Sequence, residues 1–473
     1  MRKPNLLYVF ADQWRTQSIG IHDESVKTPR MDEFAHDAVD IKECVSTHPL
    51  CSPYRACLFT GQYPTEHGVY GNCMTGYPIA LSEEKNMLDI FSDEGYRTGY
   101  IGKWHLDEPD LNHSDDPVSG ARNWDAFTPP GPKRHGMEYW HAYNADNDHL
   151  HPHYWENTPE KINVDQWSPE YETNLALDFI TRCGSDPFAL FLSWNPPHPP
   201  YSKVPKELLD LYPEDSIKFR GNYEGEGVVN HTGEPDCFSS DEMMLNTREY
   251  LAAISGLDRE FGRLIDYLKE RNLYDDTLII LTSDHGDMMG SHRLIGKHVW
   301  YDESIGVPFL MRYGDRFGHG SRSMQFSTLN IMPTVLSAMN LPVPSKYRDN
   351  DRYAEIKENR IPENDASYIY CQVSRDVFIE AWKEVGISPL ESGWRCVKTG
   401  EWKLVVFRGY LPSDKPEILL YDRTNDPLEM SPIVLSNGLK ENKIAQDLCT
   451  MLLENLDKHD PGFASWLRNY IKV

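Results

Sequence analysis

Nowhere in the 473-residue chain does an apolar run approach the roughly 20 residues of a membrane-spanning helix, so a helical membrane protein is excluded. The opening stretch MRKPNLLYVFAD has too short an apolar segment for a secretory leader and reads as a first strand. The expected compartment is the cytoplasm, or the periplasm or exterior if a leader has been removed from this numbering. Close cysteine pairs are missing too. Among nine cysteines there is no Cys-x-x-Cys, and the loose group Cys44, Cys51, Cys57 and Cys73 has no regular ligand spacing. Reduced thiols are therefore expected, not a disulfide scaffold. Positive charge is scarce as well: 47 Lys and Arg stand against 73 Asp and Glu, for a net charge of −26. Such a surface repels nucleic acid and long polyanions, so an anionic substrate must be small or be met by a local basic pocket.

What is present is a succession of strand-like runs that end on polar residues. LLYVFAD closes at Asp12, YRTGYIGKWH runs into Lys103 and His105, FALFLSWNPPH reaches His198, TLIILTSDHG reaches Asp284 and His285, and GVPFLMR closes at Arg312. Between them lie helix-like segments, the longest being TREYLAAISGLDREFGRLIDYLKERN, with apolar residues at helical spacing. The alternation predicts an α/β fold, a mainly parallel sheet sandwiched by helices. Residues just past the strand ends then gather at the carboxyl edge of that sheet, where open α/β folds bind ligands. The polar segment from Asn340 to Ser367 reads as a surface excursion, after which SYIYCQVS is expected to return to the main sheet. GWRCVKTGEWKLVVF and EILLYDRTNDP read as antiparallel strands and KIAQDLCTMLLENLDKHD as a helix, giving a smaller C-terminal α+β subdomain. The expected division is 1–385 and 386–473.

The stretch PLCSPYRACLFTG puts Cys51, Pro53 and Arg55 in a Cys-x-Pro-x-Arg array. A buried structural cysteine needs neither neighbour, whereas a reactive centre that binds an anion needs both. Asp12, Asp284 and His285 suit a hard divalent cation, with Gln13 as a weaker oxygen donor: carboxylates favour Ca²⁺, Mg²⁺ or Mn²⁺, and the imidazole widens the choice toward Mn²⁺. Singly, an aspartate after a strand is more often a helix cap, and Lys103, His105, His198 or Lys297 a solvated side chain. Their joint occurrence changes that. The phosphatase loop needs an arginine six residues after its cysteine, where this chain has Cys57.

CSPYRACLFTG resembles the signature of the type I sulfatases, of the alkaline-phosphatase-like superfamily. FADQW, GYIGKWH, PPHPPY and TSDHGDMMGSHRLIGKH follow in the family's order over roughly the first 340 residues. The resemblance implies that Cys51 is oxidised to formylglycine, an aldehyde, by a formylglycine-generating or anaerobic sulfatase-maturing enzyme that reads Pro53 and Arg55. One hydroxyl of the hydrated aldehyde attacks sulfur and the other drives sulfate release. It implies a catalytic set of Cys51, Arg55, Lys103, His105, His198 and Lys297. It also implies one divalent cation, Ca²⁺ first and Mg²⁺ or Mn²⁺ next, on Asp12, Gln13, residue 51, Asp284 and His285. Asp12-Gln13 and Asp284-His285 depart from the commoner Asp-Asp and Asp-Asn pairs and resemble choline sulfatases and phosphonate monoester hydrolases. The alternatives are thus a choline-sulfatase-like activity or phosphonate monoester and phosphodiester hydrolysis. The segment from Arg134 to Glu160, rich in Tyr, Trp, His and Asn, reads either as an ordinary covering loop or as a border of the pocket, where flat aromatics and amides suit sugar faces and hydroxyls. The expected substrate is a sulfate monoester on a small saccharide, with no nucleic-acid or membrane partner.

Overall fold

The computed structural model describes residues 3–225, 227–230, 237–435, 439 and 442–471. Its centre is an eight-stranded sheet of β1 (Asn5–Asp12), β2 (Val39–Val45), β3 (Arg97–Lys103), β4 (Tyr139–Tyr143), β5 (Phe188–Pro197), β6 (Thr277–Ser283), β7 (Phe309–Arg312) and β8 (Gly320–Ser327). The spatial order is β8-β2-β7-β6-β1-β5-β3-β4. Only β7 runs antiparallel to its neighbours in this sheet.

The strands at the middle are apolar on both faces. Every residue of β1, β5 and β6 is buried, as in a parallel sheet covered on both sides. Strand alternation splits β1 between two cores. Leu6, Tyr8 and Phe10 pack with Tyr54, Leu58 and Phe59 of helix α1 (Cys51–Thr60). Leu7, Val9 and Ala11 pack with Phe179 of α2 (Ser168–Cys183) and Leu257 of α3 (Ser240–Glu270). Each such fully buried leucine or phenylalanine contributes about 1.5–3 kcal/mol. Helix α3 starts at Ser240, earlier than its apolar periodicity, because Ser239 and Glu242 cap each other's backbone N–H groups.

The second sheet is antiparallel and holds β9 (Ser367–Cys371), β10 (Gly393–Lys398), β11 (Trp402–Gly409), β12 (Glu417–Asp422) and β13 (Ile433–Val434), in that order. This corrects the expectation that SYIYCQVS rejoins the main sheet: β9 pairs with β10 from Ser367↔Lys398 to Cys371↔Trp394, so this sheet straddles residue 385. Helix α4 (Lys443–His459) packs on it through Leu448, Leu452 and Leu456. A buried ion network ties it to the main body: Lys403 reaches Asp302 at 2.9 Å, and Arg423 reaches Glu43 at 2.9 Å and Asp302 at 3.1 Å. Among the described residues no helix is long and apolar enough to cross a membrane. All nine cysteines are free.

Candidate active site

The carboxyl edge of the main sheet collects the polar residues that close its strands. Asp12 ends β1, Lys103 ends β3, His198 follows β5, and Asp284 and His285 follow β6. Cys51 is the first residue of α1. Pro53 lies in that helix's first turn, where a missing N–H costs no intrahelical bond. Residues 51 and 55 are one helical turn apart, so both side chains face the same way. Gly102 allows β3 to approach β5 just before Lys103: at its φ of 97° a Cβ would stand 2.1 Å from the Ser193 carbonyl oxygen.

Around Cys51 the groups are in contact. Its Sγ lies 3.5 Å from Asp12 Oδ1, 3.4 Å from His285 Nε2 and 3.2 Å from Lys297 Nζ. Asp12 Oδ2 meets Lys103 Nζ at 2.7 Å and Arg55 Nη2 at 3.3 Å. Arg55, fully buried, also stands 3.6 Å from Asp284 Oδ2 and donates to the Lys103 carbonyl at 2.6 Å and Ser193 Oγ at 2.8 Å. Asp12, Cys51, Asp284 and His285 each offer a ligand atom within 4.8 Å of the others. Gln13 donates its backbone N–H to Asp284 Oδ1 at 2.9 Å, while its Oε1 accepts from Lys297 at 2.6 Å.

The electrostatics are those of two carboxylates buried among cations. Burial alone would raise Asp12, but chiefly Lys103, with Lys297, outweighs it and holds the group well below the usual carboxylate range. Asp284 is pushed up to about 7 by burial and by Asp12, and its Oδ2 has no hydrogen-bond partner. Burial and Asp12 raise the Cys51 thiol. Burial lowers His105, His198 and His285, joined chiefly by Lys103 at the first two and by Lys297 at His285, so these imidazoles are neutral.

Cys51, Lys103, His105 and His198 line an inner recess of about 290 Å³. It adjoins a cleft of about 900 Å³, which His198 and Lys297 also line. His198 Nδ1 is within 2.7 Å of the Pro199 carbonyl, which leaves Nε2 as its other ring atom for chemistry. Neither ring nitrogen of His105 has a hydrogen-bond partner. The structure thus brings all of Asp12, Gln13, Cys51, Arg55, Lys103, His105, His198, Asp284, His285 and Lys297 to one place.

Of the two readings of the segment from Arg134 to Glu160, the one that sets its aromatics against a sugar is corrected by the structure. Trp140, Tyr143, Tyr154 and Trp155 are buried in the core, because Tyr139–Tyr143 is strand β4 of the main sheet. From this segment it is Ala145, Asp146, Asn147 and Asp148 that line the recess. Sequence reasoning also missed three groups. Asn195 accepts from Lys103 Nζ at 3.1 Å, and its place three residues before His198 was the available signal. Asp287 accepts from Gln13 Nε2 and from Tyr201, each at 2.6 Å, and lies in the same SDHGD run as Asp284. Trp124, a cleft-lining residue, carries no sequence signal.

A family model described as Sulfatase matches residues 4–341, and one described as N-sulphoglucosamine sulphohydrolase, C-terminal, matches residues 290–458. The endo-4-O-sulfatase of Bacteroides thetaiotaomicron is 30% identical over 491 residues, covering 95% of this chain and 92% of that protein. A solved structure from Bacteroides fragilis, described as the sulfatase YidJ, superposes with a TM-score of 0.85 at 32% identity, covering 100% of this chain and 98% of the other. The phosphonate monoester hydrolase of Agrobacterium radiobacter shares the fold at a TM-score of 0.75 and 22% identity, over 97% and 96% of the two chains. By family model, relatives and fold together, the chain belongs to the sulfatase family of the alkaline-phosphatase-like superfamily and is a sulfuric ester hydrolase.

Proposed function

We propose that this enzyme hydrolyses a sulfate monoester on a small saccharide, using formylglycine at position 51 and a divalent cation between Asp12 and Asp284. The observation that carries this reading is the setting of residue 51. It sits at a helix N-terminus, touched by Lys297 and a carboxylate, at the floor of an open cleft. A buried thiol raised by Asp12 is a poor thiolate, which fits a residue whose chemistry comes from the aldehyde.

The residues fit a cation as well. Two carboxylates meet without solvent, and one buried oxygen of Asp284 has no hydrogen-bond partner. Oxygen donors favour Ca²⁺, with Mg²⁺ or Mn²⁺ next, and Asp12, Asp284, residue 51 and His285, with Gln13, would hold the ion. When present, the cation would offset sulfate charge and acidify a hydroxyl, and the hydrated aldehyde would supply that hydroxyl and a second one for sulfate release.

The chain's own groups divide the remaining work. Lys103 and Lys297 bind sulfate oxygens where charge develops. Arg55 holds Asp12 and Asp284 in register beside residue 51. His198 lines both cavities and therefore stands on the leaving-group side; the negative charge of a bound sulfate offsets the field of Lys103 and Lys297, so that Nε2 takes up a proton and gives it to the departing oxygen. His105 lines only the inner recess; neutral and without a ring partner, it accepts a proton there.

Cys51 and Arg55 are buried, so the maturing enzyme must read this signature before the chain folds. The saccharide is supported by relatives named for carbohydrate sulfates, the endo-4-O-sulfatase and an N-acetylglucosamine-6-O-sulfatase of the same organism. Trp124, Asn147 and Glu249 give the cleft an aromatic face with an amide and a carboxylate for hydroxyls. Free thiols throughout support a reducing compartment, the cytoplasm. The smaller subdomain starts ahead of β9, nearer residue 366 than 386. The test is co-expression with a maturing enzyme, peptide mass spectrometry of residue 51 and sulfate release from a panel of monosulfated saccharides. Cys51→Ala should keep the fold and lose at least ~10³-fold in rate. Near-full activity of that variant, or converted protein that releases sulfate from no ester, overturns the reading.

A further inference from the structure

Next to the reaction centre lies a second group of metal-ligating side chains that the proposed chemistry leaves unused. His48, His298 and Cys371 are all buried, and each places a ligand atom within 4.8 Å of the other two. They come from three separate parts of the chain. His48 is in the loop between β2 and α1, three residues ahead of Cys51. His298 follows Lys297 directly. Cys371 ends β9 in the C-terminal sheet.

Backbone and side-chain contacts hold these segments together. Tyr370 N–H donates to the Thr47 carbonyl at 2.9 Å, and the Cys371 thiol and Trp394 Nε1–H both point at the His298 carbonyl, at 3.6 and 3.3 Å. The two imidazole rings lie 5.7 Å apart between centroids. Neither Nδ1 nor Nε2 of His48 has a hydrogen-bond partner, although the side chain is fully buried. An imidazole with both nitrogens unsatisfied in a core is a costly arrangement, and a metal ion is one partner that relieves it.

We propose that His48, His298 and Cys371 form a second metal site, for a thiophilic d¹⁰ cation of the Zn²⁺ or Cu⁺ kind, separate from the hard-cation site at Asp12 and Asp284. Two imidazoles and a thiolate suit these ions, whereas Ca²⁺ and Mg²⁺ take oxygen ligands. With Zn–N of about 2.0–2.1 Å and Zn–S of about 2.3 Å, tetrahedral ligand atoms lie about 3.3–3.6 Å apart. The set therefore closes with a contraction of no more than about 1.5 Å on any edge, within reach of small side-chain rotations. Burial already keeps His48 neutral, the form that ligates. On binding, the Cys371 thiol loses its proton to solvent and the sulfur donates its lone pair; the metal keeps its oxidation state. The ion would join the loop that carries Cys51, the loop that carries Lys297, and the C-terminal sheet.

The test uses the full-length protein with Cys51→Ala, so that the signature thiol cannot contribute. Metal content is measured after gel filtration, on protein as purified and after incubation with Zn²⁺ or with Cu⁺ under reducing conditions. Co²⁺ replaces zinc in a parallel sample for spectroscopy. The expected result is about one equivalent of zinc or copper per chain and, with Co²⁺, a sulfur-to-cobalt charge-transfer band with the strong visible absorption of tetrahedral cobalt. The ion retained as purified names the occupant. Adding Asp284→Asn, which removes a hard-cation ligand, should leave both signals in place. Adding Cys371→Ser should abolish the band and weaken binding at least about tenfold. Absence of a retained thiophilic metal and of the band in the Cys51→Ala protein overturns the proposal even if Cys371→Ser fails to fold, and so does a band that survives Cys371→Ser. Neither readout depends on sulfate hydrolysis, so failure here leaves the proposed activity standing.

Discussion

Replacing Arg55 by methionine tests how the two active-site carboxylates are held. The guanidinium is fully buried, 3.3 Å from Asp12 and 3.6 Å from Asp284. Methionine keeps much of the stem's packing and removes the charge. Breaking a buried ion pair by deleting one partner costs about 3–5 kcal/mol, because the other charge stays buried. The two carboxylates do not share that cost equally. Asp12 keeps Lys103 at 2.7 Å, whereas Asp284 keeps two backbone N–H donors, from Gln13 and His285, and the field of Lys297. Asp284 is already raised toward neutrality, so it is the group left stranded. Unfolding entropy near 2.1 cal/mol/K per residue gives about 1 kcal/mol/K for 473 residues, so the melting temperature should fall by about 3–5 °C. The assay is calorimetry in chelator, following the transition that contains the main sheet. Adding Asp284→Asn to Arg55→Met should recover most of the loss. Adding Asp12→Asn should not, because it strands Lys103. A divalent cation should shrink the Arg55→Met deficit by supplying the missing charge. Strictly additive double variants, or rescue by Asp12→Asn alone, would refute the geometry described for Arg55.

Three further outcomes are expected. His198→Ala should slow alkyl sulfates by about 10²–10⁴-fold and activated aryl sulfates much less, whereas His105→Ala should slow both alike; a matching pattern for the two variants removes the division of proton-transfer roles. The kcat/KM for a sulfate monoester should exceed that for the matching phosphonate monoester or phosphodiester by at least about 100-fold, roughly 2.7 kcal/mol, and a phosphonate preference would favour the alternative activity. In the ion network, burial would raise Glu43 and Asp302, but Lys398, Lys403 and Arg423 outweigh it and hold both carboxyls below their ordinary values. Their stabilisation is therefore present above about pH 4 and lost as pH falls through the folded values, while Glu429, raised to about 7 mainly by burial, adds a cost that is absent below about pH 4, grows between about pH 4 and 7 and stays in full above that. Acid melting curves should show the C-terminal sheet loosening below about pH 4, with a shallower acid limb in Asp302→Asn; an unchanged limb counts against the network.

Local chemistry made much of this protein legible. Apolar runs in β1, β5 and β6 are both the signal for buried parallel strands and the reason their polar ends meet at one edge. Cys51 and Arg55 announce themselves by spacing, because a helix places residues four apart on one face. Asp12, Lys103, His198 and Asp284 follow from topology alone, since each closes or follows a strand of one sheet.

Other features have no local signature. Ser367–Cys371 alternates as any strand does, and only its hydrogen-bond partners decide that it belongs to the antiparallel sheet. The aromatics of Arg134 to Glu160 look like a sugar platform until β4 carries Trp140 and Tyr143 into the core. The meeting of His48, His298 and Cys371 spans 323 residues of sequence and is invisible in any window of it. Sequence determines what a residue can do and which way a short element faces, because those depend on neighbours a few bonds away. Which distant side chains share a buried space is decided only when the two sheets dock, because burial and close contact belong to the packed chain and not to any segment of it.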